Sequence, residues 1–222
     1  MSQIKCIKSL VLFTLTPLVL SPAIAQNLLT NGSFETAIAI APNATLAAGA
    51  TNLTGWTVIG GGNLLWCDSG PFCARPASTG TFSLDLTGLT NSAPYAGVSQ
   101  SIVTAVGLRY QFTFDLAGRS DSIPVAVQAT AGSTTGTFGN STATWSSRSL
   151  DFTATSVATV ISILGVSAGG TGLIIQINNA SVVPSPIPEP SQWLLLACGG
   201  FAVLGVTRVN KAISRRRLPA EA

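Results

Sequence analysis

Arg109-Tyr110-Gln111-Phe112-Thr113-Phe114-Asp115-Leu116 places an apolar side chain at every second position and a polar one between. Successive side chains of an extended chain point to opposite faces, so this stretch buries one face and wets the other, as a strand does and a helix does not. The same alternation recurs on both sides of it. Phe82, Leu84 and Leu86 alternate with Ser83 and Asp85, and Val98 and Ile102 flank Gln100. Val125 and Val127 follow Pro124, Leu150 and Phe152 form a further pair, Val157 to Leu164 a longer run, and Leu173 to Ile177 with Ala180 to Val183 close the series. Toward the N-terminus, Leu28-Leu29 and Phe34 flank the turn signal Asn31-Gly32, and Trp56-Thr57-Val58-Ile59 begins a strand that Gly60-Gly61-Gly62 ends before a Gly-Pro loop. The spacing predicts about nine or ten short strands in an all-β antiparallel sandwich. No fixed repeat runs through them, which excludes a solenoid.

The two ends of the chain differ from this middle. Lys5 and Lys8 precede the apolar run Leu10 to Leu20, and Ala23-Ile24-Ala25 supplies the small residues that a signal peptidase reads. Residues 1–25 are therefore expected to be a cleavable signal peptide, an uncleaved anchor being the alternative. At the other end Pro184, Pro186, Pro188 and Pro190 fall at every second position, so 184–190 reads as a semi-rigid linker. Residues 191–207 carry no charge and, as a helix, would span roughly 25 Å of a bilayer core of about 30 Å. Residues 208–222 follow with Arg208, Lys211 and Arg215-Arg216-Arg217, a cationic end that favours the cytoplasmic side.

The order Pro188-Glu189-Pro190, one apolar segment, then Arg215, Arg216 and Arg217 resembles the PEP-CTERM sorting signal of Gram-negative bacteria. The resemblance implies recognition by an exosortase, cleavage near Pro190, transient residence in the inner membrane, and delivery to the cell surface or extracellular matrix. An ordinary C-terminal tail anchor is the alternative.

With both ends set aside, residues 26–183 are long enough for one core and short for two. The chain has a formal charge of +3, but residues 26–190 hold only Arg75, Arg109, Arg119 and Arg148 against Glu35, Asp68, Asp85, Asp115, Asp121, Asp151 and Glu189. The mature domain is mildly acidic and has no basic patch, which excludes nucleic acid as a partner.

The middle of the chain carries a second resemblance. Asn27-Leu28-Leu29-Thr30-Asn31-Gly32-Ser33-Phe34-Glu35 with Gly55-Trp56-Thr57-Val58, then Ser83 to Gly88, Val98-Ser99-Gln100, Phe112 to Gly118 and Ile177 to Val182, is similar to the choice-of-anchor secreted domains of galactose-binding-like, jelly-roll type. This implies a jelly-roll sandwich more securely than any one function. Related jelly rolls hold a structural calcium, and here the candidates are Glu35 and Asn178. The chain has Asn178-Asn179 where such domains often carry an Asp before Asn, and losing that carboxylate weakens the expected calcium site. No other cofactor is expected.

Of four cysteines, Cys6 lies in the signal peptide and Cys198 in the apolar segment, which leaves Cys67 and Cys73 to pair in an oxidising compartment. Closing a loop of about seven residues stabilises by only about 2 kcal/mol on the entropic model.

The chain contains no histidine, which removes Ser-His-Asp and Cys-His chemistry, and residues 26–190 contain no lysine, which removes Schiff-base and Ser-Lys chemistry. A carboxylate-dependent glycoside hydrolase survives as an alternative, but no spacing marks an acid and a nucleophile, and the expectation is a domain that is not an enzyme. Binding is the stronger class. Flat aromatics on loops stack on sugar rings while neighbouring polar groups take the hydroxyls. Trp66, Arg75 and Tyr95 sit in loop-like context and are the candidate contacts, Trp66 having the alternative of covering the disulfide; Trp56 and Trp145 are expected inside the sandwich. The partners expected are an exosortase, a signal peptidase, the membrane during sorting, and exopolysaccharide or cell-wall glycan. A structural or adhesive matrix protein that binds other proteins is the alternative function.

Overall fold

A computed structural model describes residues 26–68, 73–121, 123–167 and 172–185 of the chain. The expected signal peptide, Pro188-Glu189-Pro190, the apolar segment 191–207 and Arg215-Arg216-Arg217 lie outside the described residues. Among the described residues, no helix is long and apolar enough to cross a membrane.

The described residues form eleven strands: β1 Ala44–Leu46, β2 Thr57–Gly60, β3 Leu64–Cys67, β4 Ser83–Asp85, β5 Ala96–Val103, β6 Arg109–Gly118, β7 Val125–Ala131, β8 Thr134–Asn140, β9 Ser146–Thr153, β10 Ala158–Gly165 and β11 Ile175–Pro184, with one 3-10 turn at Gly88–Thr90. They build two antiparallel sheets packed face to face, one ordered β1-β3-β4-β11-β6-β9 and the other β2-β5-β10-β7-β8. β6, the strand with the cleanest alternation, sits between β11 and β9, with Phe112, Phe114 and Leu116 fully buried and Arg109 and Gln111 exposed. Within its own sheet Tyr110 stacks on its β9 partner Phe152 with ring centroids 5.4 Å apart, and across to the other sheet Phe114 meets the edge of Phe138 at 5.7 Å. Full burial of each large side chain of this kind contributes about 1.5–3 kcal/mol.

Three strands exceed the alternation pattern, each for a physical reason. β8 is Thr-Thr-Gly-Thr-Phe-Gly-Asn, whose only large apolar side chain is Phe138, so its pairing with β7 is held by the backbone ladder. β3 is buried on both faces, and a strand buried on both faces loses its period of two. β1 has three residues. The closing run is one strand interrupted by a bulge between Asn178 and Ser181. Asn179 takes a left-handed φ of 51° there, and Ala180 N–H donates to Gly32 O at 2.8 Å. A Cβ on Gly32 would lie 2.0 Å from the Ala180 carbonyl oxygen, so the Asn31-Gly32 turn needs its glycine for this approach.

The outer face of the six-stranded sheet is covered over β3, β4 and β11 by residues 73–82. Gln176 donates to Arg75 O and Ser83 Oγ, and Asn178 donates to Thr79 O and Phe82 O. Cys67 and Cys73 form the expected disulfide, with Cα atoms 5.9 Å apart, and bury with Leu65 beneath this segment. Among the described residues, no segment covers the outer face of the five-stranded sheet. Register places Thr57, Ser99, Ser162, Thr130 and Thr135 side by side across all five strands, a complete row of hydroxyls.

Candidate functional site

Two of the three expected glycan contacts belong to the core. Trp66 lies in β3 and not on a loop, is only 5% exposed, stacks on Phe82 with centroids 4.1 Å apart, and donates its indole N–H to Phe34 O at 2.7 Å. Tyr95 precedes β5 and is 8% exposed. Neither ring offers a face to a ligand, which corrects the reading drawn from their loop-like context. The reason for Trp66 lies in the N-terminal motif. Asn31 fixes a tight turn by bonding both Thr36 N–H and Thr36 O, at 3.0 and 2.9 Å, and that turn presents two carbonyls inward. Asn31 O receives Trp56 Nε1–H at 3.1 Å and Phe34 O receives Trp66 Nε1–H. A buried indole N–H needs such an acceptor, so the motif is built around the two tryptophans.

Arg75 stands elsewhere. Its guanidinium donates to Gly118 O and, at 3.3 Å, to Arg119 O, which ties the covering segment to the end of β6. Partial burial lowers its pKa from the ordinary value, and the Asp121 carboxylate opposes that shift. The next residue, Pro76, accepts the indole N–H of Trp145 at 2.9 Å. Trp145 is half-buried, and Trp56 and Trp66, the other described tryptophans, are in the core. It is held by the turn before β9. Buried Asn140 donates to Leu116 O at 2.7 Å and Thr144 O at 2.9 Å and accepts from Thr142 N–H at 2.8 Å, while Asp121 accepts Ala143 N–H at 2.5 Å. The result is one surface, at the end of β6 and the start of β9, where an indole lies beside Arg75 with Arg119 and Asp121 exposed nearby. An apolar plate flanked by donors and acceptors is the division of labour that sugar recognition requires.

The parity of β9 could have found Trp145. Leu150 and Phe152 face inward, so odd-numbered positions face outward, and Trp145 shares that parity with Ser147 and Ser149.

The other candidates are engaged. Glu35 accepts N–H bonds from Thr81 and Phe82, each at 3.0 Å, and the Asn178 amide turns its donors to two carbonyls. Among the described residues no three of His, Cys, Asp and Glu gather into a metal-binding group. Asp115 bonds Ser78 at 2.6 Å and Asn179 at 3.2 Å, and Asp151 accepts from Gln111 at 3.4 Å. Asp85 is fully buried, and burial raises its pKa to about 6, against opposing hydrogen bonds from Thr87 and Ile175. A groove of about 250 Å³ at the opposite end of the sandwich, lined by Ser133, Thr155, Ser156 and Thr159 among others, has neither charge nor aromatic ring.

A family model described as "Protein of unknown function (DUF642)" matches residues 27–169. No curated protein matches the chain. Among solved structures, TmCBM61 in complex with β-1,4-galactotriose is 17% identical with a TM-score of 0.48, over 72% of this chain and all of that one. The CBM22-1 xylan-binding domain of Paenibacillus barcinonensis Xyn10C is 16% identical with a TM-score of 0.43, over 68% of this chain and 99% of that one. The α-L-arabinofuranosidase MgGH51 is 18% identical with a TM-score of 0.49, over 72% of this chain but 27% of that one.

Proposed function

This chain belongs to the DUF642 family, and from that premise we propose that it is an exported, non-catalytic domain that binds exopolysaccharide or cell-wall glycan. The observation that carries the reading is the half-buried Trp145 indole, anchored on Pro76 O beside Arg75 and Asp121. A sugar ring stacks on the indole, and Arg119, Asp121 and Thr144 are placed to exchange hydrogen bonds with its hydroxyls. The row of hydroxyls on the five-stranded sheet favours the second reading, a matrix protein that associates with other proteins, because it offers repeated hydrogen bonding without an aromatic plate.

Trp145→Ala is expected to weaken binding to a soluble polysaccharide by about tenfold, close to 1.4 kcal/mol, with the melting temperature little changed. Affinity electrophoresis against a polysaccharide panel measures it. Equal retardation of variant and parent would remove Trp145 from the site, and no retardation by any glycan at millimolar concentration would favour the matrix reading. Chain cleavage in the same panel would establish the glycoside hydrolase alternative.

Delivery follows from the ends of the chain. Signal peptidase removes 1–25, and an exosortase acts at Pro188-Glu189-Pro190 after residues 191–207 and Arg215-Arg216-Arg217 have held the chain in the inner membrane. Mass spectrometry of the surface form is expected to end near Pro190. Recovery of Leu218 to Ala222 there would mean a permanent tail anchor.

A further inference from the structure

We propose that the end of the sandwich formed by the β5-β6, β7-β8 and β9-β10 turns is a membrane-docking surface that rests on the lipid headgroups while residues 191–207 occupy the bilayer.

Eight large apolar side chains are exposed among the described residues, and five of them, Val103, Val106, Leu108, Val157 and Val160, lie at this one end. Val103 is 82% exposed and is the register partner of Ala158; Val160 pairs with Ser101 in the same sheet. Isolated exposed aliphatics need no explanation, but a cluster of five marks an interaction surface.

Several backbone groups of these turns are already paired. Thr104 N–H donates to Val157 O at 3.0 Å, Gly107 N–H to Ala154 O at 2.8 Å, Ala154 N–H to Leu108 O at 3.0 Å, and Gly132 N–H to Val160 O at 2.9 Å. Thr104 Oγ1 adds a bond to Ser156 O at 2.8 Å, and the Tyr110 hydroxyl accepts Ala105 N–H at 2.8 Å. Paired backbone groups can approach an apolar phase without losing hydrogen bonds to water. Across residues 101–109, 131–135 and 153–160 the only charged side chain is Arg109, a cation suited to anionic headgroups. That combination, aliphatic tips with a basic flank, is the chemistry of interfacial binding.

What covers this face follows from where the chain leaves it. β11 ends beside the start of β6: Pro184 pairs with Tyr110, and Ser185 N–H donates to Arg109 O at 2.9 Å. The uncharged run begins at Ser191, six residues later. Six residues reach at most about 21 Å when fully extended. A bilayer that holds 191–207 is thereby kept against the end carrying the five aliphatics, and the opposite end, with Asn63 and the candidate glycan surface, is turned outward.

This rests on the reading of 191–207 as a membrane segment, so the test reports on both. The full chain is labelled at one cysteine with an environment-sensitive dye and reconstituted in liposomes of phosphatidylethanolamine with a minority of phosphatidylglycerol, with and without brominated acyl chains. The three labelled positions are native Cys198, Val157→Cys and Asn63→Cys, the latter two with Cys198→Ser, and all with Cys6→Ser. Strong quenching by bromolipid is expected at 198, several-fold quenching at 157 and none at 63. Quenching at 198 without quenching at 157 overturns the docking surface and leaves the membrane segment standing. Absence of quenching at 198 overturns both. A label at 157 that is shielded from aqueous iodide but untouched by bromolipid means that a second copy or the apolar run itself covers the face, which also overturns the proposal.

Discussion

Asp85→Asn is expected to make the protein more stable at neutral pH. Asp85 is fully buried on the outer side of β4, and its Oδ1 takes every bond the carboxylate receives: Thr87 N–H at 2.9 Å, Thr87 Oγ1–H at 2.6 Å and Ile175 N–H at 3.3 Å. Its Oδ2 is buried with no partner, and so is Oε1 of Gln176, its register neighbour on β11. Two orphaned acceptors side by side lack a proton, and burial accordingly raises the Asp85 pKa from 3.8 to about 6. The folded state then binds more protons than the unfolded one between these values. The contribution of Asp85 to stability is highest below about pH 4, falls as pH rises toward 6, and is flat above; a shift of this size corresponds to about 3 kcal/mol. Asparagine keeps Oδ1 for Thr87 and brings an N–H₂ in place of Oδ2. Chemical denaturation of parent and variant from pH 3 to 8 measures the difference between them, which cancels the contributions of the other carboxylates. The difference should grow from near zero at low pH to a plateau above pH 6. A variant less stable than the parent at pH 7 would mean that ionised Asp85 has a partner the geometry does not account for.

Trp66→Ala is the second large effect, and it falls on stability. The substitution empties the space between β3 and Phe82 and leaves Phe34 O without its donor, at a cost of about 3–5 kcal/mol for a buried tryptophan. Any glycan affinity that remains in the folded fraction should match the parent. Thermal melts with binding measured well below the midpoint separate the two effects. A variant that melts like the parent but no longer binds glycan would restore Trp66 as a contact.

The contrast between Trp66 and Trp145 shows what could be read from the chain and what could not. Alternation locates β6, β9 and β10 because each buries one face only, and the residues of Tyr110 to Leu116 fall inside and outside as their spacing requires. The eleven-strand, two-sheet sandwich has the architecture that this alternation implies. β3 escaped because residues 73–82 bury its second face, and that cover depends on Gln176 and Asn178, about a hundred residues away in sequence. Loop-like composition around Trp66 reflected the glycines before it and Gly70-Pro71 after it, none of which specifies whether the strand between them is central. Arg75 was legible as a surface group but not as the neighbour of Trp145, because only the folded turn at Asn140 and the Pro76 carbonyl bring the two segments together.

The N-terminal motif also constrains the order of assembly. Leu28 N–H donates to Val182 O, the Asn27 side chain bonds Ala180 O and Val182 N–H, and Gly32 O accepts from Ala180. The first residues of the domain therefore have their partners in its last strand, about 150 positions downstream. A chain threaded from its N-terminus cannot close the sandwich until β11 has emerged, and contacts so distant in sequence make closure slow. Until then residues 27–32 lack these partners and have only their bonds to earlier elements, such as Asn31 O to Trp56 and Thr30 to Gln100.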